Sequence, residues 1–537
     1  MDKKRLIRGV MRLLCAFIDY VLLMFPVQFV MLYVMEIELR SVDFLFRLLF
    51  AVYGVLMVEY NNGATLGKML GRLKVKDKTG VKPKVLYVGL RELVKCMYLI
   101  PYAGWAAGLV SVILLFVKGT TLHDMAGGTK VIFRWEEEYR FLSLPGAHKK
   151  AGANGYEGAQ FPWESAWIDD GEATPVWGAA DIVTGLPTKI WSGFIEQHIT
   201  ADVAYGAWEY YKVTGDQDFM DRCGYELILD TAKFWASRLE EGEDGRLHIN
   251  DVVGPDEYKE HVDDNAFTNH MAAWNIRKAL EYCAELKAGK PELYRALDEK
   301  LGLAALEPVW EDKLARIFLP QPREDLVIPQ DRTYLTLKDI DLTKYKKQEN
   351  VGSIYRDYNQ EQITHMQVSK QADILIMFLL LEDQFSAEVK KANWNYYEPR
   401  TLHDSSLSLS THCILVNDMG NREMAYELFC KAAAIDVGPN MKTSEAGIHA
   451  GSLGGVWQSV VFGFGGVRML DGKLRLDPAL PAGWRSLEFY IHWQGQKLRV
   501  RLDHESARLV NLTGTRAVEL TINGVPCTVE KDLSVRL

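Results

Sequence analysis

Residues 218–240 read DFMDRCGYELILDTAKFWASRLE, and apolar side chains such as Phe219, Cys223 and Trp235 recur there at helical spacing. Similar amphipathic runs cover roughly 193–212, 266–287, 371–383, 405–417, 420–434 and 446–463. Pairs such as Gly-Pro and Asp-Gly separate these runs and break helices. The pattern therefore predicts a helical domain in the part of the chain that follows residue 132.

From about residue 471 the helical spacing gives way to the alternation that is typical of strands. The predicted strands are 474–476, 487–491, 498–502, 517–522 and 527–529. Many paired helices followed by a small β region indicate a helical toroid, with the loops at one end forming a site.

The chain has 537 residues, of which 48% are hydrophobic and 25% charged, as in folded proteins. Residues 1–132 carry 18 lysines and arginines against nine acidic residues, whereas the remainder carries 44 against 62. The acidic second part argues against nucleic-acid binding, which needs a basic surface. The seven cysteines contain no CxxC pair, so neither a zinc site nor a disulfide framework is expected.

Three apolar runs in residues 1–132 predict a multi-pass module of a bacterial-type inner or plasma membrane. The first, 13–35, is long enough to cross ~30 Å of hydrocarbon. The second covers roughly 44–58, and the third covers roughly 96–117 with Pro101 near its start. Buried helices of a soluble domain are the weaker alternative, because a basic excess accompanies all three runs.

Loop charges predict an orientation for this module. The N-terminus is basic, and the segment 60–95 carries nine basic residues against two acidic ones. The positive-inside rule therefore places both in the cytoplasm. The two apolar runs between them then cross the lipid bilayer and return. A third full span would then send 118–537 outside, whereas a re-entrant or interfacial third run would keep it inside.

Arg12 and Asp19 lie two helical turns apart and therefore share a face. Ionisable residues within a membrane are usually functional or paired with one another. Together with 63–71, Arg91-Glu92 and Thr121-Leu122-His123-Asp124, they resemble the RDD family of small membrane proteins over about 5–132. The family is named for an arginine and two aspartates, here Arg12, Asp19 and Asp124, and the resemblance implies transport or protein anchoring.

The clearest chemical signal is the loop 254–260, which reads GPDEYKE and holds Asp256, Glu257 and Glu260 together. The residues that follow it are predicted to cap the next helix, namely Asp263, Asp264 and Asn265. Carboxylates on one loop can shift each other's pKa values, which suits acid catalysis. Spacing alone nevertheless favours a solvated acidic loop.

Several motifs between Tyr139 and about Val529 resemble, in order, glycoside hydrolase family 65, the inverting α-glucoside phosphorylases such as maltose and kojibiose phosphorylase. They are Leu144-Pro-Gly-Ala147, Phe161-Pro-Trp-Glu-Ser-Ala166, His198-Ile-Thr-Ala-Asp202, the block 254–269, Lys370-Gln371-Ala-Asp373, His403-Asp-Ser-Ser-Leu-Ser408 and Gly447-Ile-His449-Ala-Gly451. The resemblance implies an (α/α)₆ barrel followed by a small β-sandwich domain.

The expected fold is therefore mainly α, with a transmembrane module at 1–132, an (α/α)₆ barrel at 133–470 and a β domain at 471–537. By resemblance, Glu257 is the general acid. The other implied site residues are Lys370, Gln371, Trp163 and Glu164 for the substrate, and Ser405, Ser406 and His449 for phosphate. The implied partners are an α-glucosyl disaccharide and phosphate as co-substrate, and a homodimer is allowed. The resemblance implies no metal and no organic cofactor.

The resemblance also has a gap at its start. The family begins with a large β-sandwich domain, and its barrel opens with a helix whose Trp-Asp pair grips the glucosyl ring. The junction 133–138, Phe-Arg-Trp-Glu-Glu-Glu, has no Trp-Asp. The barrel is therefore expected to be incomplete and its activity impaired.

Two other functions remain open. One is an α-glucoside hydrolase of the same family, with Glu445 as the candidate base. The other is a catalytically inactive membrane scaffold or transport-related RDD protein, which the missing Trp-Asp pair favours.

Overall fold

The structure is a computed structural model that describes residues 3–61, 63–77, 83–133, 141, 143–165, 171–348, 351–438, 447–470 and 472–537. The chain divides into two compact units, Met1–Leu142 and Ser143–Leu537. Each unit has buried apolar clusters of its own.

Helices dominate the first unit. They span Lys3–Phe29, Leu39–Tyr60, Leu66–Leu70, Val85–Met97, Ala103–Lys118 and Leu122–Ala126, and the first continues as a π-helix over Val30–Val34. Two strands, β1 (Leu73–Asp77) and β2 (Thr129–Phe133), pair antiparallel.

Two of the described helical segments are long and apolar enough to cross a membrane. They are Leu6–Val34, with a mean hydropathy of 2.1, and Ser41–Tyr60, with 1.9. The third apolar run is divided, because Val85–Met97 ends before Pro101 and a new helix begins at Ala103. The 16 residues of Ala103–Lys118 rise only about 24 Å, which is less than the hydrocarbon thickness.

The basic segment 60–95 is folded over much of its length. It contains one short helix, β1 and the start of Val85–Met97, and the side chains of Lys74 and Lys76 are buried. Gly63 permits the close approach of β1, since it adopts φ +79° and a Cβ there would lie 2.7 Å from the carbonyl oxygen of Val75.

The second unit begins with helices. They span Leu144–Ala153, Ser192–Ile195, Ile199–Thr214, Gln217–Phe219, Tyr225–Arg238, Ala266–Gly289, Pro291–Leu301, Leu303–Arg316, Thr343–Lys346, Gln360–Thr364, Asp373–Leu380, Ala387–Tyr397, Ser408–Asp418, Arg422–Ala433 and Ala450–Gln458. Single π-helical turns cover Met220–Gly224 and Ser459–Phe464, and 3₁₀ turns cover Tyr334–Thr336, Ser353–Arg356, Glu382–Gln384 and Glu398–Arg400. Their packed faces bury one large cluster that includes Trp235, Trp310 and Phe378.

Each predicted amphipathic run overlaps at least one of these helices. Capping is more selective than predicted, because only the side chain of Asn265 caps Ala266–Gly289, by accepting from the N–H of Thr268. Asp263 and Asp264 instead pair with Arg332. The pattern missed Leu303–Arg316, whose internal Pro308 is normally read as a helix breaker.

The same unit also contains strands. Ahead of the C-terminal region they are β3 (Trp177–Ala180), β4 (Pro187–Lys189), β5 (Glu240–Glu241) and β6 (Leu247–His248). The C-terminal strands are β7 (Val467–Leu470), β8 (Lys473–Leu476), β9 (Leu487–Trp493), β10 (Gln496–Leu502), β11 (Ser506–Asn511), β12 (Val518–Ile522), β13 (Val525–Val529) and β14 (Asp532–Arg536). They form two four-stranded sheets with the orders β14-β11-β10-β9 and β13-β12-β8-β7. One buried cluster joins the two sheets, with Val500 from one and Leu520 from the other.

Candidate functional site

Buried hydrogen bonds hold the acidic loop 254–260 in place. The N–H of Asp256 donates to Oδ1 of Asp373 at 2.6 Å, and Oδ1 of Asp256 accepts from the N–H of Lys370 at 2.7 Å. The side-chain amide of Gln330 donates to Oδ2 of Asp256 at 2.9 Å. A Cβ on Gly254 would lie 2.4 Å from Oδ2 of Asp373, so glycine permits this close approach.

This support is unusual because its two carboxyl groups are fully buried. Burial raises the pKa of Asp256, and burial together with the charge of Asp256 raises the pKa of Asp373 well above its ordinary value. Asn265 donates to Asp373 at 2.6 Å. The Lys259 side chain is also buried and donates to two backbone carbonyl groups, and burial lowers its pKa to about 8. The loop is thus anchored from below by an internal polar network.

Glu257 differs from the buried Asp256, because its side chain is 28% exposed and reaches a cavity. Nζ of Lys370 donates to its Oε1 at 2.7 Å. Gln371 lies beside them but is buried, and its amide donates to the carbonyl oxygen of Pro255 at 2.6 Å. Oε1 of Gln371 is buried without a hydrogen-bond partner among the described residues. The structure therefore brings the predicted acid and two predicted sugar contacts together.

The cavity has a volume of about 410 Å³. Its walls include Glu257, Glu260, Lys370 and Tyr355, and strands β3 and β4 contribute residues to another side. Burial and the nearby charge of Glu257 raise the pKa of Glu260 to about 7. An acidic wall with tyrosine side chains suits a polyhydroxylated ligand, which needs hydrogen-bond acceptors and flat apolar faces.

A second carboxylate cluster lies near Glu257. The buried imidazole of His198 lies between Asp202, at 2.7 Å, and Glu196, at 3.1 Å. Burial alone lowers the pKa of His198, but these two carboxylates raise it to about 10. Burial raises the pKa of Glu196 to about 7, and the charge of Glu257 contributes to this rise.

Trp163 contacts this carboxylate cluster through His198. Its ring contacts that of His198 edge to face, with 6.0 Å between the ring centroids. The neighbouring Glu164 is exposed. Neither residue lines the cavity beside Glu257.

The predicted phosphate segment begins one residue after a contact to the acidic loop. The hydroxyl of Tyr258 donates to Asp404, and the N–H of Asp404 donates to the carbonyl oxygen of Lys370 at 3.1 Å. Ser405 follows and is buried, and Ser406 is half-buried. Both serines lie outside the cavity lining.

His449 immediately precedes the Ala450–Gln458 helix. Its Nδ1 lies 2.9 Å from Oδ1 of Asp436, and its N–H donates to the same carboxylate. A Cβ on Gly451 would lie 3.1 Å from Leu407, so this helix start adjoins the serine segment. Glu445, the candidate base of a hydrolase, lies outside the described residues.

In the first unit, Arg12 and Asp124 form a buried ion pair, and Asp124 is shared with Arg91. Arg91 also donates to Oγ1 of Thr129 at 2.8 Å. Asp19 is held by other groups among the described residues. It accepts instead from the hydroxyl of Tyr53 at 2.9 Å and from the N–H of Gly67 at 2.7 Å.

Sequence reasoning missed Glu196 and the supporting role of Asp373. Glu196 stands two positions before the motif that begins at His198, and this closeness to a histidine was the available signal. The partners of Asp373 lie more than 100 positions away, and no local pattern marks them. No group of three or more His, Cys, Asp or Glu side chains that could hold a metal ion occurs within the described part of the chain.

Three family models match the chain in order. The RDD family matches residues 9–128, the glycosyl hydrolase family 65 central catalytic domain matches 130–458, and the family 65 C-terminal domain matches 467–529. Both resemblances drawn from the sequence are thereby confirmed.

Curated relatives match the second unit. Kojibiose phosphorylase from Halothermothrix orenii is 46% identical over 385 residues, covering 71% of this chain and 49% of that protein. Alpha,alpha-trehalose phosphorylase from Thermoanaerobacter brockii is 33% identical over 386 residues, covering 70% and 47%. The chain thus spans about half the length of the curated relatives that it matches.

A solved structure of a human-microbiome protein superimposes with a TM-score of 0.65 at 23% identity. The match covers 88% of this chain and 64% of that chain, and the shared fold fits an α/α barrel. The chain therefore belongs to glycosyl hydrolase family 65, and an RDD-family region precedes its catalytic domain.

Proposed function

We propose that this chain is a membrane-anchored α-glucoside phosphorylase that inverts the configuration at the anomeric carbon and works at reduced rate. One observation carries the proposal. Glu257 presents a partly exposed carboxyl group to a cavity, whereas buried hydrogen bonds hold the loop around it. The curated relatives that support the proposal are kojibiose and trehalose phosphorylases.

The proposed reaction needs one protein acid. Glu257 gives its proton to the oxygen that links the glucosyl group to the acceptor sugar, and the bond from C1 to that oxygen breaks. A phosphate oxygen forms the new bond to C1 from the opposite face, which yields β-glucose 1-phosphate and the free sugar. Phosphate is already an anionic nucleophile, so no second carboxylate is required to activate water.

Phosphate binding is assigned to hydroxyl, imidazole and backbone N–H donors. Ser405, Ser406 and His449 carry such groups, and the Ala450–Gln458 helix starts beside them. A helix N-terminus favours an anion because its first N–H groups are unpaired within the helix. Phosphate acts as co-substrate, and the chemistry uses no metal or organic cofactor.

Lys370 and Gln371 are assigned to the glucosyl group, together with Trp163 and Glu164. In the proposed complex the Lys370 ammonium donates to a sugar hydroxyl. Its departure from Glu257 then leaves that carboxyl group free to take a proton. Glu260 and the tyrosines of the cavity face the acceptor sugar.

Membrane anchoring is proposed from the two long apolar helices and the RDD-family match. The reduced rate is proposed from the sequence ahead of the catalytic domain. The junction 133–138 lacks the Trp-Asp pair that the family uses to grip glucose, and an incomplete barrel holds its substrate loosely. Misplacement of a substrate by ~1 Å can cost about 10²-fold in rate.

The test is the phosphate dependence of kojibiose cleavage by the purified full chain in detergent. Slow formation of β-glucose 1-phosphate that rises with phosphate supports the proposal. Glucose formed at the same rate without phosphate would favour the hydrolase.

A scaffold without activity is the second candidate, and the missing Trp-Asp pair favours it. It predicts no product of either kind, even after a family-type opening segment is grafted ahead of Tyr139. Robust phosphorolysis by the ungrafted chain would contradict the proposed impairment.

A further inference from the structure

Glu172 is a partly exposed carboxylate that accepts hydrogen bonds from four other residues. Its Oε2 accepts from the backbone N–H of Trp163 at 2.9 Å, and its Oε1 accepts from the backbone N–H of Glu164 at 2.9 Å. The hydroxyl of Thr174 donates to Oε1 at 2.8 Å, and Nζ of Lys150 donates to Oε2. One side chain therefore holds two consecutive N–H groups, one on each oxygen.

The segment that it holds is a loop. Residues 161–165 belong to no helix or strand. The carbonyl oxygen of Glu164 accepts from the N–H of Ala173, which is the residue next to Glu172. The Trp163–Glu164 backbone is thus fastened to 172–173 on both its donor and its acceptor side.

Lys150 connects this clamp to the rest of the fold. Its ammonium group also donates to the carbonyl oxygen of Gly193 at 3.0 Å, and its side chain is 16% exposed. A Cβ on Gly193 would lie 3.2 Å from Cγ of Glu172, so the Glu172 side chain packs closely against the helix Ser192–Ile195. Although burial raises the pKa of Glu172, Lys150 and the N–H donors lower it below the ordinary value. The clamp is therefore charged at neutral pH.

The position of Trp163 affects the candidate site. Its ring packs against His198, which contacts Glu196, and Glu196 interacts electrostatically with Glu257. A shift of the Trp163 backbone would therefore move a ring that borders the charged cluster next to the proposed acid.

We propose that Glu172 is a positioning residue that fixes the Trp163–Glu164 backbone in the geometry that binds the glucosyl substrate. The proposal rests on the proposed function for the identity of the ligand. The arrangement of the backbone can be tested without that ligand.

The test uses Glu172→Gln in the full chain, purified in detergent and labelled with 5-fluorotryptophan. Glutamine has nearly the same size but one carbonyl oxygen, so it can accept from only one of the two N–H groups. We expect the ¹⁹F resonance of Trp163, assigned through Trp163→Phe, to shift or broaden. We also expect the dissociation constant for kojibiose to rise about tenfold or more, because a hydrogen bond to a charged group is lost.

Glu226→Gln is the matched control. Glu226 is also a partly buried glutamate paired with a lysine, but its partner is Lys300 rather than the 163–164 backbone. This variant should leave both the Trp163 resonance and kojibiose binding unchanged. If Glu172→Gln does not fold, Glu172→Asp retains both oxygens and should show a smaller shift of the same resonance.

A Trp163 resonance that is unchanged in a folded Glu172→Gln or Glu172→Asp chain would overturn the proposal. A shifted resonance with kojibiose affinity within twofold of the unchanged chain would also overturn it, because the clamp would then be only structural. If the unchanged chain binds no kojibiose at all, the proposed function fails, and the resonance still decides whether Glu172 fixes the Trp163 backbone.

Discussion

Nζ of Lys370 lies 2.7 Å from Oε1 of Glu257, and the backbone N–H of the same lysine lies 2.7 Å from Oδ1 of Asp256. One lysine thus holds two consecutive acidic residues by different atoms. Its backbone fixes the buried carboxylate, and its side chain contacts the carboxyl group that reaches the cavity. The backbone of Lys370 therefore supports the loop, whereas its side chain contacts the carboxyl group that is proposed to act as the acid.

Glu257→Gln should abolish phosphorolysis of kojibiose and spare much more of the reaction with α-glucosyl fluoride. General acid catalysis contributes typically 10²–10⁴-fold, and a fluoride leaving group needs no proton. The measurement is the release of β-glucose 1-phosphate by a chain that carries a grafted family-type opening segment ahead of Tyr139. Equal losses with the two substrates would show that Glu257 is not the acid.

Glu260→Gln should make the second unit more stable at pH 8 and leave its stability unchanged at pH 4. The folded pKa of Glu260 is raised from 4.5 to about 7, so the unfolded chain releases this proton more readily. Stability is therefore lost as pH rises from about 4.5 to 7, and glutamine removes that loss. Urea unfolding followed by tryptophan fluorescence gives the comparison.

The exposed Glu361→Gln serves as the control for this pH series and should show no difference at either pH. A Glu260→Gln chain that is less stable than the unchanged chain at pH 8 would contradict the expected sign.

Asp124→Asn should destabilise the first unit by roughly 3–5 kcal/mol, because it leaves two buried arginines without their shared carboxylate. Asp43→Asn is the control and should destabilise the unit less, since Asp43 pairs with one partly exposed arginine, Arg47, rather than with two buried ones. Thermal unfolding of the full chain in detergent measures both variants. Similar midpoints for the two would show that the buried network contributes little.

The full chain should sediment with membranes and resist extraction by high salt, because two helices are long and apolar enough to span the bilayer. A thiol at Lys84→Cys should react with a label applied from the cytoplasm, as the positive-inside rule requires. Lys84 is exposed, whereas the nearby Lys76 is buried and would report poorly. Reaction only from the outer side would reverse the proposed orientation.

Helical spacing was sufficient to predict most helices of the second unit, since their apolar faces pack on one core. It failed where local rules are overridden, as in Leu303–Arg316, whose Pro308 is accommodated within the helix. In the first unit, no strand was predicted at β1, because its buried lysines make the sequence of that strand polar.

The candidate site divides in the same way. Motif resemblance singled out Glu257, Lys370 and Gln371, and the structure places them side by side. Their support could not be predicted, because Asp373 contacts Asp256 across 117 positions of sequence. Local periodicity contains no information about such distant partners.

The shared carboxylate of Asp124 has a consequence for the order of events during synthesis. Asp124 follows Arg12 by 112 positions, yet the two side chains meet in the interior of the first unit. The first helix is therefore translated long before its ionic partner exists. The polar centre can close only after residue 124 has been synthesised, so Arg12 lacks this partner while the intervening residues are being made.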